Sequence, residues 1–135
     1  MKKVIVLALI FFTSIGVQAQ DKHKIVIQLA TGNEKEQRSL TRQLNNVLNY
    51  WPEAEIEVVV HSGALSFMMK EKSVAKEAIL KSMERGVVFA VCQNTMKGNN
   101  VTEKEIIPGA IFVPNGVAEI VLKQENGFSY LKAGY

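Results

Sequence analysis

Six consecutive apolar residues, Val87-Val88-Phe89-Ala90-Val91-Cys92, follow directly on Gly86. A strand with one wet face alternates apolar and polar side chains, whereas a strand covered on both faces does not. The run therefore predicts a central strand of a parallel sheet. Parallel neighbours must be joined by crossovers long enough to hold helices.

The rest of the chain supplies them. Lys24 to Ala30 is a β-branched apolar run that stops at Thr31-Gly32-Asn33. Asn33 and Glu36 have the spacing of a capping box. Leu40, Leu44, Val47, Leu48 and Trp51 then recur at helical intervals up to Pro52. Glu55 to His61 predicts a second strand, broken by Gly63. Leu65 to Arg85 predicts one helix with Val74, Ala75, Ala78, Ile79 and Met83 inward, terminated at Gly86.

After the apolar run, Thr102 and Glu105 form a second capping box before a short helical turn at Ile106-Ile107. Ala110 to Val113 predicts a brief strand. Gly116 to Gln124 predicts a helix with Val117, Ile120 and Val121 inward, and Phe128 to Lys132 a last strand. Strands alternating with helices over short connections predict an α/β fold, a mainly parallel sheet with helices on both faces and right-handed crossovers. Ligands in such sheets bind beyond the carboxyl ends of the strands. This singles out three loops: Thr31-Gly32-Asn33, His61-Ser62-Gly63 and Cys92-Gln93-Asn94-Thr95.

The first nineteen residues differ from this pattern. Lys2 and Lys3 precede fourteen uncharged residues, Val4 to Val17, and Val17-Gln18-Ala19 suits a signal peptidase. Fourteen helical residues span about 21 Å, short of the roughly 30 Å of a bilayer core. Residues 1–19 are thus read as a cleaved secretory signal, and residues 20–135 as one mature domain, periplasmic or secreted and without a membrane span. Loss of Lys2 and Lys3 lowers the formal net charge from +3 to +1. With no basic run remaining, nucleic acid is not an expected partner.

Cys92 is the only cysteine, which excludes an internal disulfide and a multi-cysteine zinc site. It is either a small buried hydrophobe, a reactive thiol or a link between chains. A helix beginning at Asn94 or Thr95 would favour its thiolate, and Lys97 would add to this. His61 is read as a rim histidine held by a backbone bond, or as a proton carrier if its strand adjoins that of Cys92. Thr31 and Gly32 would admit an anion at the next helix start. Phe67, Met68 and Met69 are read as core or subunit contact rather than a copper site, and His23 as solvated. No glycine-rich nucleotide loop, metal site or cofactor site is legible, and no complete catalytic set accompanies Cys92.

Gly86 to Met96, Pro108-Gly109, Pro114-x-Gly116-Val117-Ala118-Glu119-Ile120 and Gln124-x-x-Gly127-x-x-Tyr130 together resemble the DsrE/DsrF-like family, over Lys24 to Lys132. The resemblance implies a three-layer α/β/α domain on a five-stranded parallel sheet, commonly assembled as a homo-oligomer, a trimer or hexamer. An apolar content of 47% agrees with such assembly. Relatives of this kind are sulfur-relay proteins in which a cysteine accepts sulfur as a persulfide, and Cys92 matches that position. The expected partner is a small sulfur species or a thiol. Export separates this chain from the cytoplasmic donors and acceptors of the relay. The alternative expectation is a non-catalytic binding protein of the envelope with a buried, structural Cys92.

Overall fold

The structure, a computed structural model, describes residues 22–134, so the signal read in residues 1–19 lies outside the described residues. β1 (Lys24–Leu29) leads into α1 (Glu34–Tyr50). β2 (Glu55–Val60) is followed by a 3-10 turn (Ser62–Ala64), α2 (Leu65–Met68) and α3 (Lys76–Glu84). β3 (Val88–Cys92), α4 (Gln93–Gly98) and a second 3-10 turn (Glu103–Glu105) precede β4 (Ile111–Val113), α5 (Gly116–Glu125) and β5 (Ser129–Ala133). The five strands form one all-parallel sheet in the order β4-β3-β2-β1-β5. The predicted α/β class, three layers on a five-stranded parallel sheet, is the observed one.

The order dictates which face each helix occupies. From β1 to β4 the chain steps in one direction, so right-handed crossovers put α1 to α4 on one face. From β4 it returns across the sheet to β5, which puts α5 on the other. The packing agrees. Leu40, Leu44, Phe67, Ile79 and Met96 join Ile27, Val58 and Phe89 in the larger core. Ile120 of α5 meets Val26, Val59, Ala90 and Val113 in the smaller one.

Several expectations need correction. β2, not β3, occupies the middle of the sheet. Glu57 disguised it: this acid is buried, 2.6 Å from Lys123 of α5, in a strand otherwise buried from Ile56 to Val60. Burial pushes its carboxyl above the ordinary value, against the pull of Lys123. The helix predicted from Leu65 to Arg85 is two helices. Between them Met69 pairs antiparallel with Ile106, and Lys70 N–H donates to the Glu105 carbonyl at 2.9 Å. These cross-chain bonds compete with helix continuation.

Thr102 and Glu105 do form a capping box, but over the turn Glu103–Glu105, and Ile106 and Ile107 follow it as core residues. On α5, Ile120 is buried as predicted, whereas Val117 and Val121 are exposed, because a helix over a sheet buries only one narrow stripe. Asn33 caps α1 by accepting from Lys35 and Glu36 N–H. Its own N–H goes to Thr31 rather than back to Glu36. Phe67, Met68 and Met69 lie in the core, and His23 stacks on Trp51 with ring centroids 4.0 Å apart.

Candidate functional site

Cys92 closes β3 and is itself the residue from which α4 starts, so the helix begins at Gln93, ahead of the expected Asn94 or Thr95. Its strand neighbour is Val113, where β4 ends. From β3 the chain leaves to one face through α4, and from β4 to the other through α5. Adjacent strands whose helices part in this way form the crevice where open α/β sheets take ligands. Cys92 stands at that crevice.

α5 brings a second helix start to the same place. Asn115 caps it, its side chain accepting from Val117 and Ala118 N–H at 3.0 and 3.2 Å. The N–H of Gly116 is left over and lies near enough to Cys92 to lower the pKa of its thiol. A Cβ on Gly116 would lie 3.2 Å from the Cβ of Cys92, 3.2 Å from the Cβ of His61 and 3.2 Å from Cγ1 of Val59. Only glycine lets α5 approach this closely.

Burial pushes the Cys92 thiol up, and the residue is only 5% exposed. The hydroxyl of Thr95 and the N–H groups of Thr95, Gly116 and Asn94 oppose this and together leave the thiol below its ordinary value. They do not make a cap of usual geometry, since Cys92 has no side-chain cap bond. Their effect is on charge: donors aimed at a sulfur stabilise the thiolate more than the thiol. A thiolate is the nucleophilic form, so the arrangement raises reactivity while restricting access.

β2 and β3 are neighbours, so His61 does reach this rim. It is buried, and burial lowers its pKa. Its ring is held by side chains rather than by backbone: Nε2 lies 2.9 Å from Nε2 of Gln28, and Nδ1 lies 2.8 Å from Oγ of Ser62. Neither contact is to Cys92. Ser62 has φ 52°, a left-handed conformation that costs a non-glycine residue on the order of 1 kcal/mol. In it the Ser62 N–H donates to Oγ1 of Thr95 at 3.0 Å.

Of the residues singled out in the sequence, Cys92, His61 and Asn94 come together, Asn94 through its backbone N–H while its side chain is exposed. Thr31 and Gly32 shape the adjoining loop instead. Thr31 accepts from Asn33 N–H and from the Gln37 amide. A Cβ on Gly32 would lie 3.1 Å from the Gly63 carbonyl oxygen, so the loops after β1 and β2 touch backbone to backbone. At the start of α1, Asn33 already takes two N–H groups and Glu34 and Glu36 add negative charge, which disfavours an anion there. Lys97 is not among the groups acting on the thiol. Sequence reasoning placed Ser62 and Thr95 in the rim loops without giving their side chains a role, and missed Gln28 and Gly116 as site residues. The Asn115-Gly116 step was a usable signal, a cap followed by the residue type that permits close approach.

Among the described residues, no group of three or more His, Cys, Asp or Glu side chains is placed to hold a metal ion, and no helix is long and apolar enough to cross a membrane. A groove of about 540 Å³ bordered by Arg42, Asn45, Lys81 and Arg85 opens between α1 and α3, on the opposite face of the sheet from Cys92.

The model of the DsrE/DsrF-like family matches residues 8–133. Among solved structures, the fold is similar to MTH1491 from Methanobacterium thermoautotrophicum, a protein of unknown function, with a TM-score of 0.79 and 22% identity over 82% of this chain and 99% of that one. It is also similar to the ychN protein from E. coli, with a TM-score of 0.66 and 15% identity over 82% and 98% of the two chains. BT1422 from Bacteroides thetaiotaomicron, a conserved protein of unknown function, gives 0.66 and 20% over 81% and 93%. At these identities the likeness is one of fold. No curated protein is similar enough to register as a relative.

Proposed function

The chain belongs to the DsrE/DsrF-like family, and on that premise we propose that it is an exported sulfur-handling or thiol-redox protein whose Cys92 carries sulfur as a persulfide or mixed disulfide. One observation carries the reading. Cys92 ends β3 where the starts of α4 and α5 meet, with Gly116 packed against its Cβ, and the hydroxyl of Thr95 with the N–H groups of Thr95, Gly116 and Asn94 draws its pKa below the ordinary thiol value despite burial. A buried cysteine that only fills the core has no use for them.

The chemistry needs no metal and no external oxidant. The Cys92 thiolate attacks the sulfane sulfur of a polysulfide, an S–S bond of the donor breaks, and the shortened polysulfide leaves with the electron pair. The new Cys92 persulfide bears its charge on the outer sulfur. Narrow access suits a donor of this size better than a protein disulfide. The secretory signal in residues 1–19, the mature domain in residues 20–135 and a periplasmic or secreted location belong to the same proposal. So does homo-oligomerisation as a trimer or hexamer.

Mature protein treated with polysulfide should gain the mass of added sulfur, and Cys92→Ala should gain none. No adduct on the wild type, or an equal adduct on the variant, sinks the reading. Burial favours a second one, a non-catalytic ligand-binding protein with a structural Cys92. There a thiol reagent labels Cys92 only after denaturation, whereas labelling of the native protein excludes it.

A further inference from the structure

The surroundings of Cys92 extend well beyond the groups that face it. On β5 the Tyr130 hydroxyl donates to Oε1 of Gln28, which lies on β1. The Gln28 amide nitrogen carries only hydrogens, so at 2.9 Å from Nε2 of His61 it donates and that ring nitrogen accepts. His61 therefore carries its proton on Nδ1 and donates it to Oγ of Ser62 at 2.8 Å. The backbone N–H of Ser62 donates to Oγ1 of Thr95 at 3.0 Å. With that N–H directed at its oxygen, the Thr95 hydroxyl proton points away from Ser62, which leaves it free for the sulfur. Hydrogen bonds thus run along the rim from β5 across β1 to the side chain of Ser62, after β2, and from the backbone N–H of Ser62 on to Thr95, beside the end of β3.

We propose that Gln28, His61 and Ser62 are positioning residues for Cys92: they hold Ser62 in its left-handed conformation and so aim the Thr95 hydroxyl at the sulfur, with His61 serving as a neutral, Nδ1-protonated imidazole rather than as a proton carrier. The inference rests on the reading of Cys92 as a functional thiol. A second proton on His61 would set an N–H against the Gln28 amide, donor against donor, and break that bond. Burial, which lowers the pKa of His61, acts in the same direction. The close contact of Gly116 with both Cys92 and His61 keeps the two side chains in fixed relation without a bond between them.

The thiolate absorbs in the far ultraviolet, and with one cysteine in the chain the difference from Cys92→Ala separates the titration of Cys92 from that of the tyrosines. Thr95→Val should raise the midpoint by about one pH unit, the effect of losing one hydrogen bond to a charged group, and Thr95→Ser should restore it. His61→Leu and Gln28→Leu should each raise it by a fraction of that. His61→Asn, whose amide can replace the Nδ1–H, should recover part of the loss. In the Thr95→Val background His61→Leu should add nothing. Nitrogen-15 NMR of the imidazole should find the proton on Nδ1, which needs no variant and so survives any failure to fold.

A proton on Nε2, an unmoved midpoint in His61→Leu, or an additive effect in the double variant overturns the positioning role. Polysulfide uptake by the wild type separates the two readings. Uptake with an unmoved midpoint overturns only the positioning role. No uptake, with the midpoint still moved by His61 and Thr95, overturns only the sulfur-carrier reading.

Discussion

At the scale of single residues, Gly116 decides more than its size suggests. At the start of a helix, glycine to alanine ordinarily gains about 0.5–1 kcal/mol from reduced chain entropy. Here the added methyl meets Cys92, His61 and Val59, each at 3.2 Å. Two of those neighbours are Cβ atoms, one at the end of β3 and one just after β2, which cannot turn aside. The clash wins, and Gly116→Ala should lower stability by about 1–3 kcal/mol, read as a shifted midpoint in denaturant unfolding. A gain in stability would show that α5 can slide on the sheet. The same shift of α5 would withdraw the Gly116 N–H and raise the Cys92 thiol pKa.

At the scale of elements, the starts of α4 and α5 build the site, and they are capped differently. Cys92 begins α4 without a side-chain cap bond, whereas Asn115 closes two donors of α5 and leaves the N–H of Gly116 for the sulfur. Asn115→Ala should cost about 1 kcal/mol, measured by denaturant unfolding. The two turn regions around Met69–Ile106 illustrate the limit of local pattern. Leu65 to Arg85 has helical periodicity throughout, yet bonds from Lys70 to Glu105 and from Ile107 to Met68 split it. Those partners lie more than thirty residues away, and no local window contains them.

At the scale of the whole molecule, the two faces of the sheet are unequally covered. An α-helix is about 10 Å wide and strands lie about 4.8 Å apart, so one helix covers roughly two strands. Among the described residues α5 alone serves the second face, and Val88 and Ile111 remain partly exposed beside it. The outer side of α5 adds Val117 at 56%, Val121 at 48% and Leu122 at 52% exposure. An apolar stripe of this kind supports the proposed homo-oligomer. Light scattering should give a trimer or hexamer, and Val121→Glu combined with Leu122→Glu should lower the mass towards the monomer. A monomeric wild type at micromolar concentration would overturn the assembly.

The α/β class and the position of every strand were legible in the sequence, because burial on both faces and helical periodicity are local properties of the chain. Cys92 was legible as a rim residue for the same reason: it ends an apolar run. Strand order was not. The return of the chain from β4 across the sheet to β5 depends on contacts among segments far apart in sequence, and it is this return that carries α5 to the second face. The apolar run that announced a central strand proved to be its neighbour, with Cys92 at the point where α4 and α5 part. The sequence alone determined that the chain has one thiol at the end of a buried strand. Only the tertiary structure surrounded that thiol with the donors of Thr95, Asn94 and Gly116, because two helix starts from opposite faces had to meet there.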